Sequence, residues 1–394
     1  MYQSSWLCTC KLSVLVGIIT LCGLSSVLAK KGDQVQRLEV ATALADSRFE
    51  RLSAEQNHFL TSIQADPAPE EIVRNSHYWV SNEHNHQLWH PYIKGIGGTF
   101  VGVGTDQNYL LAAWAKSSLL ILMDFDKEIP TLHEIYAYFF SISDTPKVFL
   151  NRWARRYATD SAEKLGGHFT VIAEKLARKE AAQKDLSETR SVKYIQRRVK
   201  RYVRHRVKIY KRIRALIWRR LSKTKSKYQE LKIETFIDSQ EQFEHIRDLW
   251  ASGRVIAIRG DLTANQTMLT IAQTLRNLGE SLNILYLSNA EQYFPLTPEY
   301  RRNIINLPWG ESSYALRTMA WGSLGFYDED EEYHYNIQDG KNFVTWMKES
   351  RTTKAGRMLF KGRKLKVNPG FSEMVKLPVK SKRLPKIADI PKGL

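Results

Sequence analysis

Residues 99–126 hold a strand, a glycine turn, a helix, a second strand and a terminal acid in one short span. That order commits this part of the chain to an alternating α/β architecture. Thr99-Phe100-Val101-Gly102-Val103 reads as a buried strand, Gly104-Thr105-Asp106-Gln107-Asn108 as a turn, and Tyr109–Lys116 as a helix. Leu119–Met123 is a second apolar run, closed by Asp124-Phe125-Asp126. Neither run alternates polar with apolar, so both faces of each strand are expected to be covered, as in a parallel sheet flanked by helices. Gly104 and Asp124 stand 20 residues apart, the spacing at which a nucleotide-binding βαβ unit places an acid near a ribose hydroxyl.

Two further runs extend the pattern. Val255-Ile256-Ala257-Ile258 leads into Gly260-Asp261, and Asn283-Ile284-Leu285-Tyr286-Leu287 leads into Ser288-Asn289. Met268–Leu278 lies between them as a helix closed by Gly279. The expected fold class is therefore α/β, with a Rossmann-like, mostly parallel sheet and a long helical insertion between the second and third strands. Helix starts are expected near Pro130 and at Asp144-Thr145-Pro146. The expected organisation is a leader (1–29), a helical lead-in (30–75) and two halves of the sheet domain (76–160 and 251–350). The insertion (161–250) separates the halves, and a loose basic tail (351–394) follows.

Charge is distributed unevenly. The chain carries 59 Lys+Arg against 41 Asp+Glu, yet Arg190–Lys232 alone holds 18 Lys/Arg and one acid, Glu230. From Arg351 onward there are 13 basic residues and two acids, which leaves the rest of the body net acidic. Val192, Ile195, Val199, Val203, Val207, Tyr210, Ile213, Ile217 and Leu221 step by three or four, forming one apolar stripe on a basic amphipathic helix. Such a rod over 190–232 is roughly 65 Å long. Three uses compete: an anionic membrane surface, a nucleic acid (which suits the charge but not an exported location), and simple packing of the stripe on the domain with solvated charges. The acidic run Asp328–Glu332 is expected to be a solvated loop or a partner of this rod.

All three cysteines (Cys8, Cys10, Cys22) precede residue 23, so the body has no thiol catalysis, cysteine-ligated zinc or iron–sulfur chemistry. Leu12–Ala29 is an uncharged run of 18 residues between Lys11 and Lys30, long enough to cross a bilayer core of about 30 Å. It ends in Val27-Leu28-Ala29, a small-residue cleavage pattern. Signal peptide and uncleaved transmembrane anchor fit it equally. The expected location is membrane-anchored or exported, with the side of the membrane left open.

The polar residues expected to meet at the carboxyl ends of the strands are Gly102, Gly104, Asp106, Gln107, Asn108, Asp124, Asp126, Gly260, Asp261 and Ser288 for a cofactor. Asn289 and Glu291 are the catalytic candidates beside them. Ser81-Asn82-Glu83, the string Gly97–Tyr109 containing Gly-Val-Gly-Thr-Asp-Gln-Asn, Gly260-Asp261, and Leu285–Tyr293 containing Tyr-Leu-Ser-Asn-Ala-Glu-Gln-Tyr resemble a bacterial family of unassigned function. That family is similar in fold to class I S-adenosylmethionine-dependent methyltransferases. The resemblance spans roughly 76–150 and 240–320. It implies a methyltransferase-like core and an adenosyl ligand, with S-adenosylmethionine the candidate cofactor and the acceptor unassigned. Phe100 stands where the methyltransferase pattern carries an acid, Asp106 where it carries a third glycine, and no Pro-Pro-Tyr signature follows the fourth strand.

His77, His84, His86 and His90 fall within 14 residues. His84, His86 and His90 with Glu83 have the residue types of a metal-ligand set, and His84 or His86 could serve as a general base. With Trp79, Trp89 and Pro91 interleaved and no spacing of a known metal site, the segment is expected to be a packed aromatic loop without metal. The functional expectation is thus an adenosyl-binding, possible methyltransferase-like enzyme. The alternative is a non-catalytic membrane-associated or exported scaffold that binds anionic surfaces through the basic helix.

Overall fold

Apolar runs with no polar face can be satisfied only by pairing edge to edge and being covered on both sides, and the strands of this chain do so. The computed structural model describes residues 48–184, 187–320, 333–364 and 370–378. The leader, the first part of the helical lead-in, the acidic run Asp328–Glu332 and the chain after 378 lie outside the described residues.

Helix α1 (Ala54–Thr61) starts at Ser53, whose hydroxyl accepts from Gln56 N while the Gln56 side chain accepts from Ser53 N. A short α2 (His90–Ile93) precedes β1 (Thr99–Val103), α3 (Gln107–Ala115) and β2 (Leu119–Asp124). The described elements of the crossover to β3 (Val255–Arg259) are all helices: α4 (Glu128–Ser141), α5 (Pro146–Trp153), α6 (Ala158–Gln183), α7 (Glu188–Glu230) and α8 (Gln240–Ala251). Then follow α9 (Thr267–Asn277), β4 (Leu282–Ser288), α10 (Pro298–Asn306) and β5 (Trp309–Ala320). The described part ends with β6 (Tyr333–Asp339), α11 (Gly340–Lys348), α12 (Ala355–Gly362) and β7 (Phe371–Met374).

The seven strands form one sheet in the order β3-β2-β1-β4-β5-β6-β7. β1 to β5 are mutually parallel, β6 is antiparallel to β5, and β7 runs parallel to β6. Alternate residues feed the two faces. Phe100, Leu120, Leu122, Ile284 and Tyr286 pack under α3, α4, α7 and α8, while Val101, Ile121, Met123, Ile258 and Leu285 pack under α9, α10 and α11. Each such side chain, fully buried, contributes roughly 1.5–3 kcal/mol. This mixed α/β arrangement is compatible with a Rossmann-like fold. Beyond β1 the chain first builds outward to β2 and β3, then returns to β1's other side with β4. The connections leaving β1 and β4 therefore part, and a crevice opens at their carboxyl ends.

The four runs identified from sequence are β1 to β4, each within a residue of its expected limits. The basic helix is a single element of 43 residues. The segment after 350, expected to be a loose basic tail, differs in part: α12 packs Met358 and Leu359 into the core, and β7 completes the sheet edge beside β6. The apolar residues of those short elements are too few to show a period, and only the sheet edge gives them a place. Among the described residues no helix is long and apolar enough to cross a membrane.

Candidate functional site

A cavity of about 460 Å³ opens at the carboxyl ends of β1, β2 and β4, within the range of small-molecule sites. Its floor is Val103, Gly104, Thr105 and Gln107 from the first strand–helix turn and Asp124–Asp126 from the end of β2. Ser288–Ala290, Gln292 and Tyr293 line it from the end of β4, and Ile72–Arg74, Ser76, Tyr78 and Val80–Asn82 line it from the segment before β1.

The turn is built for close approach. Gly104 has φ +95°, a region that favours glycine, and a Cβ there would stand 2.5 Å from the Gln107 amide. Gln107 Oε1 accepts from Thr105 N at 3.2 Å, and the Asn108 amide donates to the carbonyls of Val103 and Thr105. His133 braces the same turn from α4: its Nε2 lies 2.9 Å from Gly104 O and its Nδ1 2.7 Å from the Tyr109 hydroxyl. Burial lowers the His133 pKa to about 4. The neutral ring donates from Nε2 to the carbonyl and accepts the tyrosine proton at Nδ1.

Two carboxylates occupy the end of β2. Asp124 Oδ1 accepts from Asp126 N at 2.8 Å, and Asp126 Oδ2 lies 2.6 Å from His77 Nδ1. Burial, and secondarily the neighbouring Asp126 charge, push Asp124 up to about 7 against the opposing pull of backbone N–H groups. Across the cavity, Ser288 adopts φ +50°, a strained position for a residue with a side chain, and its hydroxyl donates to Glu83 Oε1 at 2.6 Å. Asn289 Nδ2 donates to the Tyr333 hydroxyl at 3.1 Å, and Asn82 Nδ2 donates to the same oxygen at 2.7 Å.

Glu83 anchors the lining loop. It is fully buried and accepts from the hydroxyls of Tyr286, Ser288 and Thr318, with His86 Nε2 3.3 Å away. Burial alone would raise its pKa; His86 and the two hydroxyls of Ser288 and Thr318 outweigh that and hold it below the usual carboxylate range. Ser81 and Asn82 are thereby pinned to the ends of β4 and β5, where they line the cavity.

The structure thus brings Gly104, Gln107, Asp124, Asp126, Ser288 and Asn289 into one cavity. Six other expected site residues lie outside its lining. Gly102 is inside β1, where a Cβ would meet Asn108 Oδ1 at 2.0 Å, so it serves the packing of α3 on the strand. Asn108 fastens the turn from behind. Asp106 is buried and its Oδ2 meets Arg220 Nε from α7 at 3.1 Å. Gly260 and Asp261 are displaced by residues 64–67: Asp66 accepts from Asp261 N, Gln266 N and Thr267 N, capping α9 and filling the edge of the rim. Glu291 is buried under the wall, 2.5 Å from Arg317 Nε, and accepts from Tyr300 OH.

Sequence reasoning missed the wall at Ile72–Tyr78 and Tyr333. The first has no period or glycine signal; only the neighbouring Ser81-Asn82-Glu83 string pointed to that region. The histidines do not converge. His77 meets Asp126, His84 accepts from Arg220 at Nδ1, His86 sits beside Glu83, and His90 packs edge-on against Trp114. Burial and the surrounding Arg220, Lys223 and Lys227 charges lower His84 to about 4. Among the described residues there is no group of three or more His, Cys, Asp or Glu placed to hold a metal ion.

Fold and cavity together define an α/β protein with a mostly parallel sheet and a candidate ligand site at the point where strand order reverses. Residues 78–375 match the family described as Domain of unknown function (DUF7790), and the chain belongs to that family. The matched span includes the basic helix, all seven described strands and the cavity lining from Tyr78 onward, while Ile72–Arg74 and Ser76 of the lining precede it. No curated protein matches the chain.

Proposed function

We propose that the cavity binds an adenosyl-type small molecule and that the protein is a methyltransferase-like enzyme. The observation that carries this reading is the meeting, beside the β1/β4 crevice, of the left-handed Gly104 turn and the Asp124 carboxylate at the end of β2. A backbone open at Gly104 admits a ligand close to β1, and a carboxylate at the end of β2 is suited to accept from a ribose hydroxyl. Val103, Phe125 and Ile129 supply apolar surface for a base, and Arg74, also in the lining, offers a cation to an amino-acid carboxylate. These residues fit S-adenosylmethionine, which would supply an electrophilic methyl group. Asn289 is the candidate for orienting an acceptor; Glu291, held by Arg317 and Tyr300, supports the wall instead.

The test is thermal unfolding of the purified full-length chain with millimolar S-adenosylmethionine or its demethylated product. A midpoint raised by a few degrees, and lost in Asp124→Ala, is expected, since a ligand at about 100 times its Kd stabilises by about 2.7 kcal/mol. No shift with either compound overturns the reading and leaves the fold as a scaffold.

The Asp124 shift adds a pH signature. Above about 7 the folded carboxylate is ionised and can accept, so affinity should rise from pH 6 to 8. Its raised folded value has the opposite effect on the unliganded fold: stability from this group is complete below the ordinary value of 3.8 and declines as pH rises through about 7. Asp124→Asn should therefore stabilise the free protein more at pH 8 than at pH 5, read as the difference in midpoint from wild type.

A further inference from the structure

Helix α7 has no acidic residue between Glu188 and Glu230, and the fold uses only one of its faces. Ile209, Ile213, Ile217 and Leu221 are buried against the domain. The apolar stripe is thus consumed by packing and is not free to insert into lipid along this half. On the opposite side, at steps of three and four residues, Arg190, Lys193, Arg197, Lys200, Arg204 and Lys208 are exposed, and Lys211 continues the row. No acidic side chain among the described residues pairs with any of these seven. Arg219 and Lys223 carry the exposed row further along the same face. Trp218, 41% exposed, borders it. The row from Arg190 to Lys223 is about 50 Å long at ~1.5 Å per residue.

We propose that this face of α7 docks the protein on an anionic bilayer surface. The geometry favours a plane. Cations along one side of a continuous helix reach a flat sheet of headgroup phosphates together, whereas the phosphates of a duplex wind away from a straight line once in about 34 Å. A tryptophan beside such a row is the side chain that settles at the headgroup level. The sequence supplies a second, independent pointer, the uncharged Leu12–Ala29 run, which is long enough to hold the chain at a bilayer. Docking here is electrostatic: lysines and arginines attract an anionic leaflet one by one, and salt screens the attraction over about 10 Å at 0.1 M. The proposal does not depend on the cavity's ligand.

The experiment is co-flotation of the full-length protein with phosphatidylcholine vesicles, with and without about 30 mol% phosphatidylserine. It compares wild type with Lys193→Glu/Arg197→Glu/Lys200→Glu/Arg204→Glu. Anionic vesicles should bind wild type more tightly than neutral ones, and the variant should lose at least about a hundredfold in that affinity. Neutral-vesicle binding, which reports the apolar leader, should not change between the two. The corresponding glutamine variant should fall between them, and both variants should keep the wild-type unfolding midpoint. Equal affinity of wild type for neutral and anionic vesicles overturns the proposal, as does a charge-reversed or glutamine variant that binds like wild type. Variant-sensitive binding to duplex DNA without binding to anionic vesicles also overturns it and assigns the face to nucleic acid.

Discussion

The two halves of α7 are written in nearly the same residues and live in different physical worlds. From Ile209 onward the helix is part of the domain: Tyr210, Ile213, Ile217, Leu221 and Tyr228 are buried, and Arg220 reaches Asp106 and His84 behind the cavity turn. Lys227 donates to His84 O and to the Asn85 side chain. Before Arg206 the helix touches chiefly α6. Ile195, Val199 and Val203 are half-buried, and Arg198 pairs with Glu180 at 2.7 Å in partial exposure to water. Arginine in a dry site must be paired and becomes a structural strut, whereas arginine in water remains available to a partner.

Removing the strut should have the greatest effect. Arg220→Ala leaves Asp106 buried and uncompensated, and is expected to destabilise by about 3–5 kcal/mol in urea unfolding. If adenosyl binding is also weakened, the second half of α7 supports the cavity turn as well as the fold. Ile217→Ala should cost about 2–5 kcal/mol by the same measurement, because the side chain is fully buried. Its counterpart Ile195→Ala, half-buried, should cost clearly less; equal losses would erase the distinction between the halves. Arg198→Ala removes an exposed pair and should cost about 0.2–1 kcal/mol, shrinking further in salt. Lys193→Ala, with nothing to lose in the fold, should stay within about 0.5 kcal/mol of wild type.

The same contrast explains which parts of the fold were legible. β1 to β4 announce themselves because both faces of each strand meet apolar neighbours, so the buried runs are almost wholly apolar. β5 and β6 are buried too, yet they carry Arg317, Thr318, His334, Asn336 and Gln338. Three of them find partners far away in the chain: Arg317 pairs with Glu291 and donates to Gln338, Thr318 donates to Glu83, and His334 meets Ser372. A polar residue whose partner is not yet placed reads as a surface residue, and so neither strand showed in the pattern. The site was legible to the same extent: Gly104, Asp124 and Ser288 lie next to legible strands, whereas Tyr78 and Tyr333 do not.

Local chemistry, readable residue by residue, determined that four apolar strands alternate with helices, that each ends in polar groups, and that one long helix is basic on one side and apolar on the other. Which of those polar ends share a cavity was decided only in three dimensions. Asp66, from the segment before the sheet, caps α9 and closes the rim at Asp261; Glu83 ties another loop to Ser288 and Thr318. Both carboxylates lose their water when buried and can stay there only by collecting hydrogen-bond donors, and those donors lie about 200 residues or more along the chain.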